Sequence, residues 1–131
     1  MQVSARFPSD VLALLDRTDE VQIEPRLAGS QPTQPVTVWV VVLDDSDVYV
    51  RSYRGPSGRW YQALLQHPDG VLYVDGRAIP FRALHVDDPQ TISRVSEAYR
   101  RKYEQKWPTE TAEMLRDGVL PTTLKLEPAP D

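Results

Sequence analysis

The sequence contains no cysteine among its 131 residues. This absence excludes disulfide bonds, thiolate metal sites and a cysteine nucleophile. An excess of basic residues is also missing, because the formal net charge is −4. Proteins that bind nucleic acids through the phosphate backbone are normally basic, so we expect no nucleic-acid partner.

Long hydrophobic runs are absent as well. The longest mainly apolar stretch, residues 36–43, has eight residues, whereas a membrane-spanning helix needs about 20. The first ten residues, MQVSARFPSD, contain no apolar segment of the kind found in secretory signals. We therefore expect a cytoplasmic protein with no membrane partner.

Residues that bind metals or act as catalysts are scarce. The two histidines, His67 and His85, are not accompanied by clustered carboxylates. Asp44, Asp45 and Asp47 resemble the start of a calcium loop, but the glycine and the closing glutamate of that loop are missing. We expect no metal site and no catalytic side chain, so a cofactor would carry the chemistry of any enzyme built on this chain.

The composition is that of an ordinary globular protein, with 40% hydrophobic and 26% charged residues. The length predicts a single domain over residues 1–131, with flexible ends at about residues 1–8 and 128–131. Short apolar runs separated by turn signals predict a mainly β protein with some α-helix. Strands are predicted at 21–27, 36–43, 48–52, 71–74, 79–86 and 124–126, and helices at 10–15, 59–66, 89–103 and 109–117. Hairpins dominate this order, which favours a six-stranded antiparallel barrel with three or four flanking helices.

Residues 51–61 form a basic segment without an acidic residue. Arg51, Arg54 and Arg59 supply its charge, and Gly55 and Gly58 allow the backbone to approach a ligand closely. A helix that begins near Arg59 would offer free N–H groups, which favour a phosphate together with the arginine side chains. The pattern is no nucleotide-binding fingerprint, so a phosphate site and a solvated hairpin end both stay open.

Most aromatic residues are interpreted as packing residues. Trp39 lies in the most apolar predicted strand. Tyr99, Tyr103 and Trp107 occur at or near helical spacing and indicate core or dimer contacts. A second basic segment, residues 100–106, is interpreted as a solvated helix face.

Four motifs resemble those of the flavin-binding split β-barrel superfamily, which includes pyridoxamine-phosphate oxidase-like and deazaflavin-dependent nitroreductase-like proteins. They are the strand–turn–strand ending YVRSYRG, the helix start GRWY, the helix end QHP, and the DDP start of the helix that leads into EAYRRKY. Over about residues 20–127 the sequence is similar to a small bacterial family, the domain of unknown function 2255.

The resemblance implies a six-stranded antiparallel split barrel that forms a homodimer and binds a phosphorylated flavin-type molecule, FMN or a deazaflavin. It implies that the cofactor phosphate is held by Arg51, Ser52, Arg54 and Gly55, with Arg59 and Trp60 beside them, and that Thr37 and Trp39 line the ring site. Hydride would pass directly between the ring and a substrate, so no protein acid or base is required.

One feature departs from the pattern of this superfamily. Relatives often carry a basic residue before the central strand, where this chain has Gln34 and Pro35. Either phosphate binding rests on the arginine segment alone, or the cofactor differs or has been lost. Beside a flavin-dependent oxidoreductase, two functions therefore stay open: a non-catalytic module that binds a flavin or another phosphorylated small molecule, and a ligand-free structural dimer.

Overall fold

The computed structural model describes residues 6–26 and 34–129. Within these residues the chain forms seven strands and four α-helices, which confirms a mainly β protein with flanking helices. The helices are α1 (Ser9–Arg17), α2 (Arg59–Gln66), α3 (Pro89–Tyr103) and α4 (Pro108–Met114), and the strands are β1 (Glu20–Pro25), β2 (Val36–Trp39), β3 (Val41–Leu43), β4 (Asp47–Val50), β5 (Asp69–Val74), β6 (Arg77–His85) and β7 (Leu124–Pro128). Of the two predicted flexible ends, residues 1–5 and 130–131 lie outside the described residues.

The strands form one sheet in the order β2-β1-β5-β6-β7-β4-β3. Every neighbouring pair is antiparallel, as the hairpin-rich sequence predicts. The strands at the two ends of this order, β2 and β3, are separated in the chain only by Val40. Because one short segment therefore forms both end strands, the sheet curls into a barrel, which leaves few unpaired edges.

The predicted count of six strands is wrong, because the segment 36–43 is two strands. Trp39 pairs with Glu20 on β1, whereas Val41 pairs with Tyr49 on β4. Val40 lies at the corner between these pairings and is fully buried. A run of β-branched residues predicts an uninterrupted strand, and only the pairing partners show that it bends.

Side chains of α3 satisfy the backbone of Val40 at this corner. The Val40 N–H donates to the hydroxyl of Tyr103 over 3.0 Å, and the Lys102 ammonium donates to the Val40 carbonyl over 2.7 Å. The Tyr103 hydroxyl in turn lies 2.7 Å from the carbonyl oxygen of Asp19, to which it donates. A buried backbone group without a partner is costly, so these bonds make the corner stable and tie α3 to the barrel.

Two turns follow their sequence signals closely. Asp75 and Gly76 have φ values of 49° and 73°, the conformation of the two-residue turn that joins β5 to β6. Asp44 and Asp45 also have positive φ, at 54° and 53°, where β3 turns into β4. Both aspartates are exposed, and the segment is a hairpin turn, as its missing calcium-loop residues indicate.

Two apolar clusters hold the fold together. One fills the barrel interior and includes residues of α1 and α2. The other lies on the outer face of the sheet, where Val95, Tyr99 and Tyr103 of α3 pack on β3 and β4. Trp39 and Trp107 are partly buried at the border of this outer cluster. Of the helices in the described ranges, none combines the length and the apolar character needed to cross a membrane.

Candidate functional site

A cavity of about 780 Å³ opens on the outer side of the barrel, beside β2. Seven of the eight site residues predicted from the sequence line it, which are Thr37, Trp39, Arg51, Ser52, Arg54, Arg59 and Trp60. The eighth, Gly55, is buried and does not line the cavity. Its φ of 72° favours glycine, and a Cβ at this position would stand 3.2 Å from the Gly118 carbonyl oxygen. Residues that are distant in the chain are thus brought together where the sequence analysis expects a ligand.

Arg51 is the most deeply buried of these residues, with 1% of its surface exposed. Its Nε donates to Thr123 Oγ1 over 2.9 Å, and one terminal nitrogen donates to Ser96 Oγ over 3.0 Å. The guanidinium also donates to the backbone carbonyls of Met114, at 3.3 Å, and Ile92, at 2.8 Å. Most of its N–H groups therefore donate hydrogen bonds within the fold, which link α3, α4 and the residue just before β7.

The charge of Arg51 has only neutral partners within the described residues. Burial lowers the pKa of its guanidinium, and the Tyr99 ring lies 5.3 Å from the guanidinium carbon. The side chain nevertheless stays cationic, because arginine does not lose its proton in proteins. An unneutralised positive charge at the cavity wall attracts anions more strongly than a solvated one would.

Arg54 and Arg59 are placed quite differently. Both are exposed and line the cavity. Neither guanidinium takes part in a hydrogen bond or ion pair with the residues that the structure describes. Their donors are therefore available for a ligand, and bidentate contact with a phosphate is the strongest use of such donors.

The N-terminus of α2 faces the same cavity. Gly58 is the N-cap residue and lines the cavity wall. A Cβ at Gly58 would stand 2.3 Å from Ser52 Oγ, so only glycine fits here without a shift. Ser52 Oγ itself donates to the Gly55 carbonyl over 2.7 Å. The first N–H groups of a helix lack partners within the helix, so this end of α2 offers donors to an anion.

Indole rings form another part of the wall. Trp39 stacks on Tyr103, with ring centroids 4.0 Å apart and planes 3° apart. Trp107 lies 5.7 Å from Trp39 on the same border of the outer cluster. Trp60, at the start of α2, is mostly buried and meets Tyr61 edge to face. The cavity thus combines flat apolar surfaces with nearby cationic donors.

Sequence reasoning did not predict several residues that line the cavity, among them Glu20, Tyr53, Trp107 and Glu110. Tyr53 stands inside the motif YVRSYRG, so the motif itself could have indicated it. Glu20 reaches the site only because it is the register partner of Trp39. Trp107, which the helical spacing assigned to packing or dimer contacts, borders the core and the cavity at once.

The described part of the preceding loop adds no basic group to the cavity. Gln34 and Pro35 are exposed, and neither lines it. Residues 30–33 lie outside the described residues. Within the described chain, positive charge at the site comes from the arginine segment.

The sequence pattern of a family described as "Uncharacterized protein conserved in bacteria (DUF2255)" matches residues 11–126 of this chain. No curated protein matches it in sequence. Among solved structures, the conserved hypothetical protein Rv2991 of Mycobacterium tuberculosis is similar, with a TM-score of 0.65 and 14% identity over 98% of this chain and 84% of that one.

Two further structures share the fold. A candidate pyridoxamine 5'-phosphate oxidase of Listeria innocua has a TM-score of 0.60 and 15% identity, over 93% of this chain and 91% of that one. HutZ, a heme storage protein of Vibrio cholerae, has a TM-score of 0.62 and 12% identity, over 96% of this chain and 92% of that one. At such low identities these likenesses establish the barrel architecture and leave function to be argued from the site.

Proposed function

This chain belongs to the DUF2255 family and has the fold of pyridoxamine 5'-phosphate oxidase-like split barrels, and from this premise we propose that it binds FMN or a related deazaflavin in the cavity beside β2. The observation that carries the proposal is the meeting of free arginines, a helix N-terminus and indole rings in one cavity. Its volume of about 780 Å³ is within the range of roughly 300–1,000 Å³ that small-molecule sites occupy.

The phosphate end of the ligand belongs at the N-terminus of α2. Arg54 and Arg59 hold it there with their unpaired guanidinium groups, and the backbone N–H groups after Gly58 assist. Arg51 has a different role from the one that the resemblance implies. Its donors are used within the fold, so it attracts the phosphate by its charge without touching the ligand.

The ring end of the ligand belongs beside β2. Thr37 and Trp39 lie on the same face of this strand, since side chains alternate along it. Trp60 borders the phosphate end, at the first turn of α2. When bound, the flavin or deazaflavin ring supplies the capacity to accept and donate hydride. The chain's own residues bind and orient the group, and none is assigned as an acid or base.

Two roles are compatible with such a site. An oxidoreductase would pass hydride through the cofactor to a second compound. A binding module would hold the cofactor without turnover; HutZ, a heme storage protein, is a structural neighbour with a storage role. Absorbance of the purified protein detects a bound flavin or deazaflavin in either case, and turnover with a reduced nicotinamide or a reduced deazaflavin distinguishes the two.

We also expect the protein to be cytoplasmic and to form a homodimer. One structural neighbour is described as a domain-swapped dimer, and two exposed apolar residues, Val36 and Tyr53, border the cavity. Covering them with a second copy would remove apolar surface from water. Light scattering at micromolar concentration should give twice the chain mass of 14.9 kDa. A mass equal to one chain at all concentrations would contradict this expectation.

The phosphate end is tested by replacing Arg54 with alanine. The variant should bind FMN about 10–100-fold more weakly, because a charge-assisted hydrogen bond is worth roughly 1.5–3 kcal/mol and each decade of affinity is about 1.4 kcal/mol. Binding is followed by the loss of tryptophan fluorescence when a flavin approaches Trp39 or Trp60.

Riboflavin, which lacks the phosphate, is the matched ligand control. It should bind wild type and the Arg54→Ala variant equally, and more weakly than FMN binds wild type. The substitution Arg82→Ala removes an exposed arginine of β6 that does not line the cavity, and it should leave FMN affinity unchanged. Equal affinities of wild type for FMN and riboflavin would show that the phosphate is not recognised.

A further inference from the structure

A chemically different region of the cavity surrounds Trp39 and Trp107. Glu20 is directly opposite Trp39 in the pairing of β1 with β2, and opposed residues of an antiparallel pair have Cβ atoms about 5 Å apart on one face. Trp107 is the N-cap residue of α4, and Glu110 is the third residue of that helix. A side chain at this third position lies close to the N-cap residue. Two carboxylates therefore flank two adjacent indole rings.

These carboxylates are not neutralised by the described protein. Glu20 and Glu110 are exposed and line the cavity. Neither carboxylate takes part in a hydrogen bond or ion pair with residues 6–26 or 34–129. The ammonium of Lys106, which lies near Trp107, forms its ion pair with Asp19 over 2.8 Å and not with either of these carboxylates. The two negative charges thus remain available to a ligand in the cavity.

Tyr53 extends this region with a third aromatic ring. It is 47% exposed, and Arg116, which follows α4, contacts it. Arg116 donates to the Tyr53 carbonyl over 3.0 Å and places its guanidinium carbon 5.8 Å from the ring centroid. A hydrogen bond to Glu113, and the negative charges of Glu113 and Glu110, raise the pKa of the Tyr53 hydroxyl. Its ring therefore adds aromatic surface to the same cavity that Glu110 lines.

Aromatic faces and carboxylates attract the same class of ligand. The face of an indole or phenol ring is electronegative and attracts cations, most strongly for tryptophan. The chain itself contains an example, because the Lys106 ammonium lies 5.6 Å from the centroid of Trp107. An anion is disfavoured beside Glu20 and Glu110, whereas Arg54 and Arg59 favour it at the α2 end of the cavity.

We propose that the region formed by Trp39, Trp107, Glu20 and Glu110 binds a flat organic cation, a ring that carries a quaternary or protonated nitrogen, as the second ligand of the cavity. Contact between this cation and a bound cofactor rests on the proposed function. Binding of the cation itself does not. The cavity is then polarised, with an anion at the α2 end and a cation at the indole pair.

Two small probes that differ in charge and share a ring test the proposal. 1-Methylnicotinamide is a cation, and nicotinamide is its neutral counterpart with the same carboxamide. Each is titrated into the purified protein without cofactor, by calorimetry and by saturable quenching of tryptophan fluorescence. The cation should bind wild type at least threefold more tightly, and the preference should shrink at high salt, because the carboxylates are exposed.

Glu20→Gln and Glu110→Gln keep the shape of each side chain and remove its charge. Each should weaken the binding of 1-methylnicotinamide about two- to fivefold, the range for exposed cation–π and ion-pair contacts. The affinity for nicotinamide should stay unchanged. Glu104→Gln is the matched control, since Glu104 is exposed on the chain just after α3 and does not line the cavity. Equal affinities of wild type for both probes, or equal effects of the Glu20, Glu110 and Glu104 variants, would overturn the proposal.

Failure of this inference and failure of the proposed function give different results. If FMN does not bind but the cation preference depends on Glu20 and Glu110, only the cofactor assignment is wrong. If FMN binds and Arg54→Ala weakens it, but the cation is not preferred, only the second-ligand assignment is wrong. Arg54→Ala should leave 1-methylnicotinamide binding no weaker than in wild type.

Discussion

Replacing Arg51 with methionine should lower the free energy of unfolding by about 3 kcal/mol or more, one of the largest effects of any single substitution in this chain. Methionine has similar length but donates no hydrogen bond. The variant would leave the hydroxyls of Thr123 and Ser96 and the carbonyls of Met114 and Ile92 without their donor. Urea denaturation followed by circular dichroism measures the loss, as a lower midpoint.

The matched control for Arg51 is Arg54→Met, three residues later in the same segment. Arg54 is exposed, and its guanidinium makes no hydrogen bond or ion pair with the described residues, so this change should shift stability by no more than about 0.5 kcal/mol. The urea midpoint of Arg51→Lys should fall between those of wild type and Arg51→Met, because an ammonium cannot reach all four acceptors. A midpoint near that of wild type for Arg51→Met would mean that Arg51 is a ligand-facing residue rather than part of the fold.

Removing the hydroxyl of Tyr103 should cost about 1–3 kcal/mol of unfolding free energy. In Tyr103→Phe the buried N–H of Val40 loses its acceptor, and the Asp19 carbonyl loses a donor. The ring and its stacking on Trp39 are kept, so the loss reports the hydrogen bonds alone. Amide exchange of Val40, measured by NMR, should become faster together with the fall in stability.

Tyr99 provides a control one helical turn away. It is as buried as Tyr103, but its hydroxyl has no hydrogen-bond partner of normal geometry among the described residues. Burial raises the pKa of this hydroxyl, although the nearby Arg51 charge opposes the shift. Tyr99→Phe should therefore leave stability unchanged or raise it slightly, since it removes an unpaired polar atom. A similar loss of unfolding free energy in Tyr99→Phe and Tyr103→Phe would show that the Val40 corner does not depend on the Tyr103 hydroxyl.

The sequence by itself determined the local structure of this protein. Alternating apolar residues predict the strands, Asp75-Gly76 predicts the turn between β5 and β6, and the Asp88-Pro89 pair predicts the start of α3. The structure confirms the turn by its two positive φ values and the helix start by the Asp88 carboxylate, which accepts from the Thr91 N–H over 3.0 Å. Such features depend on a few neighbouring residues, so a single sequence contains the information for them.

The candidate site was predictable only in part, for the same reason. The arginine segment and its glycines are contiguous in the chain, so they could be recognised as a candidate phosphate site. The different roles of Arg51 and Arg54 could not be recognised from the sequence. They depend on Thr123, Ser96 and Met114, which are distant in the chain. Two arginines three residues apart look alike in a sequence, although one is a buried part of the fold and the other is free.

The tertiary structure alone decided the bend at Val40 and the composition of the cavity wall. A β-branched run specifies extended backbone, but it does not specify which strands pair with each half of the run. Here β1 pairs with one half and β4 with the other, and Tyr103 stabilises the residue between them. The same pairing brings Glu20 beside Trp39. Strand partners and register are set by the burial of the whole sheet, which is why these features are absent from the local pattern.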